Sequence, residues 1–372
     1  MRILLTGGGT GGHIYPALSV WNYLHQDTND ASEVLYVGTE RGLERDIVQR
    51  AGLPFMAIHA AGLRRELSLS ALRTAFQTVR GYLEARRILK NFCPDVVLGT
   101  GGYVTLPVIF AAHGLGIPSV VWEGNAQPGL TNLLCARRAT VMAVALPGSE
   151  RAFKAARRVV LTGHPRASEI RLADDARRSA ARQLYRLRPG RKVILVFCGS
   201  RGAQTVNQTV LQMAALKLPE RPDVQLILVT GQASYSEMEQ LAKRSDLPDN
   251  VQLVPFVDDM PALLPQVDVV VTRAGAGTVA EVASLGIPAV LIPSPYVTGN
   301  HQEPNAARLV KHGAATMLLE KDLTAPTLWN AVANYLSSSH WRQAHAAALE
   351  LATPDAVDRL ASVVLEAASK RS

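Results

Sequence analysis

Cysteine is scarce in this chain. Its three, Cys93, Cys135 and Cys198, lie far apart in or beside apolar runs, so neither a disulfide framework nor a metal spacing can be built from them. They read as small core residues in a reducing compartment. Aromatic residues make up 5% of the chain while Ala, Val, Leu and Gly abound, a balance that suits helices packed on parallel sheet. An apolar strand begins at Ile3, leaving no room for a signal peptide. Formal charge vanishes from Val96 to Trp122, but Gly99, Gly101, Gly102, Pro107, Gly114, Gly116 and Pro118 interrupt that stretch. It divides into strand, loop, short helix and strand rather than one membrane span. No Asp-rich motif is present, so neither metal nor cofactor is expected.

What is present suits two well-buried domains: 372 residues, 48% of them hydrophobic. The net charge of +8 is uneven. Residues 1–162 hold 17 Lys and Arg against 11 Asp and Glu, while the remainder holds 22 against 20, so the basic excess belongs to the first half.

Two cycles of alternating strand and helix are legible. In the first half Ile3–Leu5, Glu33–Val37, Val96–Leu98, Ser119–Trp122, Thr140–Ala143 and Val159–Leu161 read as strands. Helices are expected at 16–26, 40–51, 70–91, 103–114 and 127–137. The second half restarts with strands at Val193–Phe197, Gln225–Val229, Val251–Pro255, Val267–Val271 and Ala289–Ile292. Its helices fall at 203–217, 234–244, 259–264, 277–285, 303–312, 324–336 and 340–350, after an arginine-rich surface helix within 171–191. This is the pattern of an α/β protein with two parallel sheets facing a central cleft. The expected junction lies near Gly163-His164-Pro165.

Four glycine-rich loops follow four strands: Gly7–Gly12, Gly99–Gly102, Gly199–Gly202 and Gly275–Gly277. Glycine lets backbone approach a ligand, and free N–H groups at a helix start favour an anionic partner. The first loop is neither a dinucleotide fingerprint, since its spacing is wrong, nor a Walker loop, since no lysine follows. A crowded tight turn is its other reading. Ser200 and the amides from Arg201 to Ala203 form a candidate phosphate nest, against an ordinary capping turn. Near Gly277 a helix begins with Glu281 one turn inside it, placed to take ribose hydroxyls or merely to face solvent. Pro293–Asn305 is a polar insert suited to a polyol. For proton transfer the candidates are His13, Glu123, His164 and His301. Residues 62–90 carry seven Lys and Arg against two Asp and Glu, interleaved with Leu67, Leu69, Leu72, Phe76, Val79, Tyr82 and Leu83. They form either a patch for an anionic membrane or an ordinary amphipathic helix. Nucleic acid is not expected, for no binding module is recognisable.

A series of motifs runs in order along the whole chain: GGGTGGHIYPALSV, VLYVGT, GLRRE, PDVVLGTGGYV, PGLTN, GSRGAQTVN, FVDDM, RAGAGTVAE, GIPAVLIP and NHQEPNA. By these the chain resembles the MurG family of bacterial peptidoglycan glycosyltransferases, assigned to GT28. The resemblance implies a GT-B fold of two Rossmann-like domains. Residues 1–163 would meet acceptor and membrane, residues 164–340 would bind donor, and helices from 341 to 372 would return to the first domain. It implies inverting transfer of N-acetylglucosamine from UDP-N-acetylglucosamine to the 4-hydroxyl of lipid I, undecaprenyl-pyrophosphoryl-N-acetylmuramoyl-pentapeptide, which gives lipid II. A soluble UDP-sugar transferase with another acceptor, or a non-catalytic nucleotide-sugar sensor, is the alternative on the same fold.

Carried over residue by residue, the family pattern puts catalysis at His13 and Glu123. Donor contacts fall to Thr10, Gly11, Gly12, Asn125, Ser200, Arg201, Gly202, Val257, Arg273, Gly275, Ala276, Gly277, Thr278, Glu281, His301 and Gln302. The acceptor side would use Thr10, His13, Gly101, Gly102, Tyr103 and Asn125. Arg64, Arg65, Leu69, Leu72, Arg73, Phe76, Arg80, Arg86 and Arg87 would meet the anionic inner leaflet, making a peripheral protein on the cytoplasmic face of the cell membrane. Cell-wall synthesis and division proteins are the implied further partners. Three stretches depart from the pattern: Trp122-Glu123-Gly124-Asn125 replaces His-Glu-Gln-Asn, Arg201 replaces a glutamine, and Gly163-His164-Pro165 replaces a Gly-Asn-Pro.

Overall fold

The computed structural model describes residues 1–26, 32–61, 69–199 and 202–369, with the backbone alone for Gln26, 69–75 and Thr298. The chain forms two compact units, Met1–Arg166 with Asp355–Ser372, and Ala167–Pro354. The first contains β1 (Arg2–Thr6), β2 (Glu33–Gly38), β3 (Phe55–Ala57), β4 (Val96–Gly99), β5 (Ser119–Glu123), β6 (Val141–Val144) and β7 (Val159–Leu161). All are parallel, in the order β3-β2-β1-β4-β5-β6-β7. Alternation divides the apolar strand residues between two faces. Ile3, Leu5, Leu98 and Trp122 pack with Leu360 and Val364 on one side. Leu4, Val37, Val97 and Met142 pack with Ile109 and Leu89 on the other.

The second unit repeats the scheme with β8 (Lys192–Phe197), β9 (Val224–Val229), β10 (Val251–Val254), β11 (Val269–Thr272), β12 (Ala289–Leu291) and β13 (Ala315–Met317). Their order is β10-β9-β8-β11-β12-β13, again parallel. Each sheet therefore has one place where the chain reverses its direction of winding, between β1 and β4 and between β8 and β11. At such a place the loops leaving the carboxyl ends of adjacent strands diverge and open a crevice. All four glycine loops follow these four strands.

Several elements differ from the sequence expectation. Strands β3 and β13 lie at the edges of their sheets and are only partly buried, so they lack the Val, Ile and Leu that mark the other strands. The first helix spans Gly11–Gln26 and contains Pro16. Glycine is a poor helix former and proline favours a first turn, which is why the sequence points to a start at residue 16. The helix in the arginine-rich stretch covers only Asp175–Leu184, and Arg186 beyond it takes a positive φ of 49°. The tail joins the first unit only from Asp355, not from residue 341. The helix Ser338–Glu350 is instead tied to the second: Trp341 Nε1 donates to Asp268 O at 2.9 Å and His345 Nδ1 to Gly286 O at 2.6 Å.

Gly286 ends the helix Ala276–Leu285 at φ 66°, and a Cβ there would stand 2.5 Å from His345 Nδ1. Gly286→Ala is therefore expected to cost about 1–3 kcal/mol from strain and displaced packing, read as a lower denaturation midpoint for the second unit.

Candidate functional site

In the first unit the site is made mainly of backbone. Gly8 N donates to Gly101 O at 3.2 Å, which ties the loop after β1 to the loop after β4. A Cβ on Gly102, which has φ 82°, would lie 2.2 Å from Gly8 O, and one on Gly7 would lie 2.3 Å from Thr100 Oγ1. The two loops pack with no room for side chains. Thr100 Oγ1 donates to the carbonyl of His13 and lies 3.2 Å from Thr6 O, and Thr105 Oγ1 donates to Gly101 O at 2.8 Å.

His13 lies in the first turn of its helix, with its N–H donating to Thr10 O at 3.0 Å. Its Nδ1 is 2.9 Å from Gly8 O and 3.3 Å from Thr10 Oγ1. A carbonyl only accepts, so Nδ1 carries the proton and Nε2 keeps the lone pair. The ring lies against Gly101, where a Cβ would come within 2.9 Å of His13 Cδ2. Thr10 and Gly12 are exposed, while Gly11, His13, Gly102 and Tyr103 are half-buried. Thr10, His13, Gly102 and Tyr103, expected on the acceptor side, share one loop cluster with Gly101. Tyr103 joins it from the β4 loop, with its hydroxyl 3.4 Å from Thr39 Oγ1.

Glu123, at the end of β5, is buried and fully engaged. Oε1 accepts from Asn125 N at 2.9 Å and Asn125 Nδ2 at 3.1 Å. Oε2 accepts from Gly129 N at 3.0 Å and Asn132 Nδ2 at 2.9 Å. A carboxylate holding four N–H groups braces the 124–129 loop. A substrate proton on this carboxylate would have to compete with that brace. Asn125 follows as part of the same brace.

The departures at Trp122 and His164 meet each other. Their rings make an edge contact at 4.8 Å between centroids, and Trp122 Nε1 donates to Gly163 O at 3.1 Å. His164 Nδ1 accepts from Arg166 N at 3.2 Å. Burial, and then the positive Arg166, push this imidazole down to about 3. Arg166 itself lies over the Tyr15 ring.

In the second unit a cavity of about 690 Å³ opens at the β8–β11 reversal. Gly202, Gln204 and Thr205 line one wall, Gly275, Thr278 and Gln302 another. The helices Gln204–Lys217 and Ala276–Leu285 both begin here, and neither N-cap, Ala203 or Gly275, makes a side-chain capping hydrogen bond. Two sets of free first-turn N–H groups, with two dipole ends, therefore converge on one cavity. Gly202 has φ 70°, and its Cβ would lie 2.0 Å from Thr230 O, so the first wall requires glycine. Ser200 and Arg201, expected here, lie outside the described residues.

Other expected donor residues take distinct places. Arg273 is largely buried: Nη1 donates to Ile292 O at 3.1 Å and Pro293 O at 3.3 Å, and Nη2 pairs with Glu320 at 2.6 Å. Gln302 Oε1 accepts from Ala274 N at 3.3 Å and Ser294 N at 2.8 Å, which leaves its amide NH2 for a ligand. Glu281 is buried and stands one turn beyond Thr278, on the same face of the helix. Val257 is buried and belongs to the same apolar cluster as Ala274 and Val279. Ala276, Gly277 and His301 are half-buried. Sequence reasoning missed Glu320, Asn132 and the buried Glu44. Their roles rest on contacts between residues distant in the chain, for which no local pattern exists.

The helix Leu69–Phe92 buries Ala85, Ile88 and Leu89. Its opposite stripe leaves Phe76 70%, Val79 59% and Leu83 60% exposed. Arg80, Arg87 and Lys90 are exposed beside them, and Arg86 donates to the Tyr82 hydroxyl at 3.3 Å. Arg64 and Arg65 lie outside the described residues, as do the side chains of Leu69, Leu72 and Arg73. Among the described residues no helix is long and apolar enough to cross a membrane.

Comparison with known proteins matches residues 3–144 to the glycosyltransferase family 28 N-terminal domain and residues 193–360 to the family's C-terminal domain. A Bacillus cytotoxicus protein is 42% identical over 371 residues, covering 100% of both chains. It is described as UDP-N-acetylglucosamine–N-acetylmuramyl-(pentapeptide) pyrophosphoryl-undecaprenol N-acetylglucosamine transferase. A Bacillus licheniformis protein with the same description is 42% identical over 98% of each chain. The crystal structure of Acinetobacter baumannii MurG superposes with a TM-score of 0.77 at 28% identity, covering 98% of this chain and 99% of that one. The UDP-GlcNAc 2-epimerase from Neisseria meningitidis, solved with UDP-GlcNAc, shares the fold at TM-score 0.69 and 14% identity, covering 98% of this chain and 100% of that one.

His164 supplies a prediction about acid stability. Unfolding returns its ring from about 3 to the ordinary 6.5, so between these values the unfolded chain binds a proton that the native chain refuses. This contribution to stability is intact above pH 6.5 and is lost as pH falls toward 3, by up to ~1.4 kcal/mol per unit. His164→Asn is expected to flatten the melting temperature against pH over that window, measured by calorimetry.

Proposed function

Since this chain belongs to glycosyltransferase family 28, with full-length relatives of the MurG type, we infer a division of labour in which the second unit binds the sugar donor and the first the acceptor. The protein is a GT-B glycosyltransferase that moves N-acetylglucosamine from UDP-N-acetylglucosamine to lipid I and so forms lipid II. The observation that carries the division of labour is the pair of uncapped helix N-termini on one cavity of the second unit. A diphosphate is the part of the donor that such a site recognises.

In this reading the amides of Gly275–Thr278 and of the Gly202 loop take the UDP phosphates, and Glu281 takes the ribose hydroxyls. The backbone at Val257 borders the uracil, and the Gln302 amide with His301 meets the sugar. Arg273, pinned by Glu320 and two carbonyls, shapes the wall. On the first unit, His13 Nε2 accepts the proton of the acceptor's 4-hydroxyl as that oxygen bonds to the anomeric carbon. The bond from that carbon to the diphosphate oxygen breaks, and UDP leaves with the electron pair. One displacement of this kind inverts the anomeric centre. Negative charge grows on the diphosphate, where dipoles already oriented stabilise it most. Thr10, Tyr103 and the Gly101–Gly102 turn border the acceptor. The stripe of Phe76, Val79 and Leu83, flanked by Arg80, Arg87 and Lys90, rests on an anionic inner leaflet, where the acceptor's lipid is anchored.

Two outcomes check this reading. In a transfer assay with lipid I that follows both released UDP and product linkage, His13→Ala is expected to lower single-turnover rates about 10²–10⁴-fold while leaving UDP affinity unchanged. Near-normal turnover would remove the proposed base. With liposomes rich in anionic lipid, Phe76→Ser combined with Leu83→Ser is expected to reduce co-sedimentation severalfold, while transfer to a water-soluble acceptor analogue persists.

A further inference from the structure

Glu44, the second residue of the helix Leu43–Arg50, is fully buried although no cation pairs with it among the described residues. Three glycines make room for it. A Cβ on Gly8 would stand 2.8 Å from its Oε1, one on Gly38 2.6 Å from its Cγ, and one on Gly42 2.2 Å from its carboxyl group. Its carboxylate bonds the loops that follow β1 and β2. Oε1 accepts from Thr39 N at 3.0 Å and Thr39 Oγ1 at 2.6 Å, and Oε2 accepts from Gly9 N at 3.2 Å.

That last bond has a further end. Gly9 N–H and Gly8 C=O belong to one peptide group, and Gly8 O accepts from His13 Nδ1 at 2.9 Å. In a trans peptide the N–H and C=O point in opposite directions, so carboxylate, peptide and imidazole stand in series. We propose that Glu44 is a positioning residue for the transfer reaction, acting through the Gly8–Gly9 peptide to fix the tautomer of His13 and raise the basicity of its Nε2. A carboxylate on the N–H polarises the amide and makes its carbonyl a stronger acceptor, and that effect passes to the Nδ1 proton. The inference rests on the reading of His13 as base.

Among the described residues, several groups stand around this series. Tyr36, on β2, donates to Gly7 O at 2.8 Å. Burial, and then the negative Glu44, push its hydroxyl well above the ordinary 10, so it stays neutral over the assay range. Tyr103 faces the series from the β4 loop, where a Cβ on Gly9 would lie 3.3 Å from its ring, while Tyr15, on His13's own helix, lies against Gly11 with Arg166 on its ring. Glu123 stands behind Asn132, whose Nδ2 would be 3.5 Å from a Cβ on Gly101. On Glu44's own helix, Arg45 is paired with Glu40.

The test is the pH dependence of single-turnover transfer in the full-length protein. Glu44→Gln keeps the shape and removes the charge. It is expected to move the acid limb of the rate profile down by on the order of one pH unit and to lower the rate at its plateau, with the KM for UDP-N-acetylglucosamine unchanged. Thr39→Val removes a donor that competes for the same carboxylate and is expected to move the limb the other way. It carries the test if Glu44→Gln fails to fold. An acid limb unmoved in the folded variants overturns the relay, even where His13→Ala abolishes transfer and the base assignment stands. Near-normal turnover in His13→Ala overturns both.

Discussion

The close approach of two backbones at the carboxyl ends of β1 and β4 is the constraint on which the first unit's site depends. Gly8 and Gly101 are hydrogen-bonded, and Gly102 comes so near Gly8 that no Cβ fits between them. Only because side chains are excluded there can one carbonyl, Gly8 O, reach His13 Nδ1. The imidazole is thus oriented by main chain that the sheet itself fixes, and main chain cannot rotate away as a long side chain can. Strand order makes this contact available, since β1 and β4 are neighbours in the sheet although some ninety residues of chain lie between them.

The second unit applies the same economy to a different end. Its cavity draws its polarity from two helix starts that carry no capping side chain, so the recognising groups are again backbone amides. Charged side chains hold the walls. The Arg273–Glu320 pair is largely withdrawn from water and is supplemented by two carbonyls on the guanidinium. Such pairs contribute little net stability, but losing one partner strands the other, which gives a wall of defined shape. Glu123 does comparable work in the first unit by gathering four N–H groups, three from the 124–129 loop and one from Asn132 on the helix that follows.

Both units therefore place polar side chains behind the site and backbone at its surface. Glu44 fits this pattern and adds to it, because the loop it holds is also the loop that orients His13. The amphipathic helix is organised differently. Its buried face belongs to the core, and its apolar stripe of Phe76, Val79 and Leu83 is exposed among the described residues, which is the usual mark of a surface that meets something else.

Local pattern was enough to establish two α/β halves, most of their strands, the four glycine loops and their place after strands. Apolar runs and glycine clusters are properties of contiguous residues, so they survive in the sequence unaltered. The motif series was likewise enough to indicate the family. Tertiary structure alone decided which loops meet, that the first helix starts among the glycines, and that Ser338–Glu350 stays with the second unit. It also decided that Glu123 is a brace, that Trp122 and His164 pack together, and that Glu44 is buried beneath the first loop. Each of these depends on pairing between segments far apart in the chain. A carboxylate in the first turn of a helix looks the same in sequence whether water or three glycines surround it, and only the fold supplies the surroundings that set its chemistry.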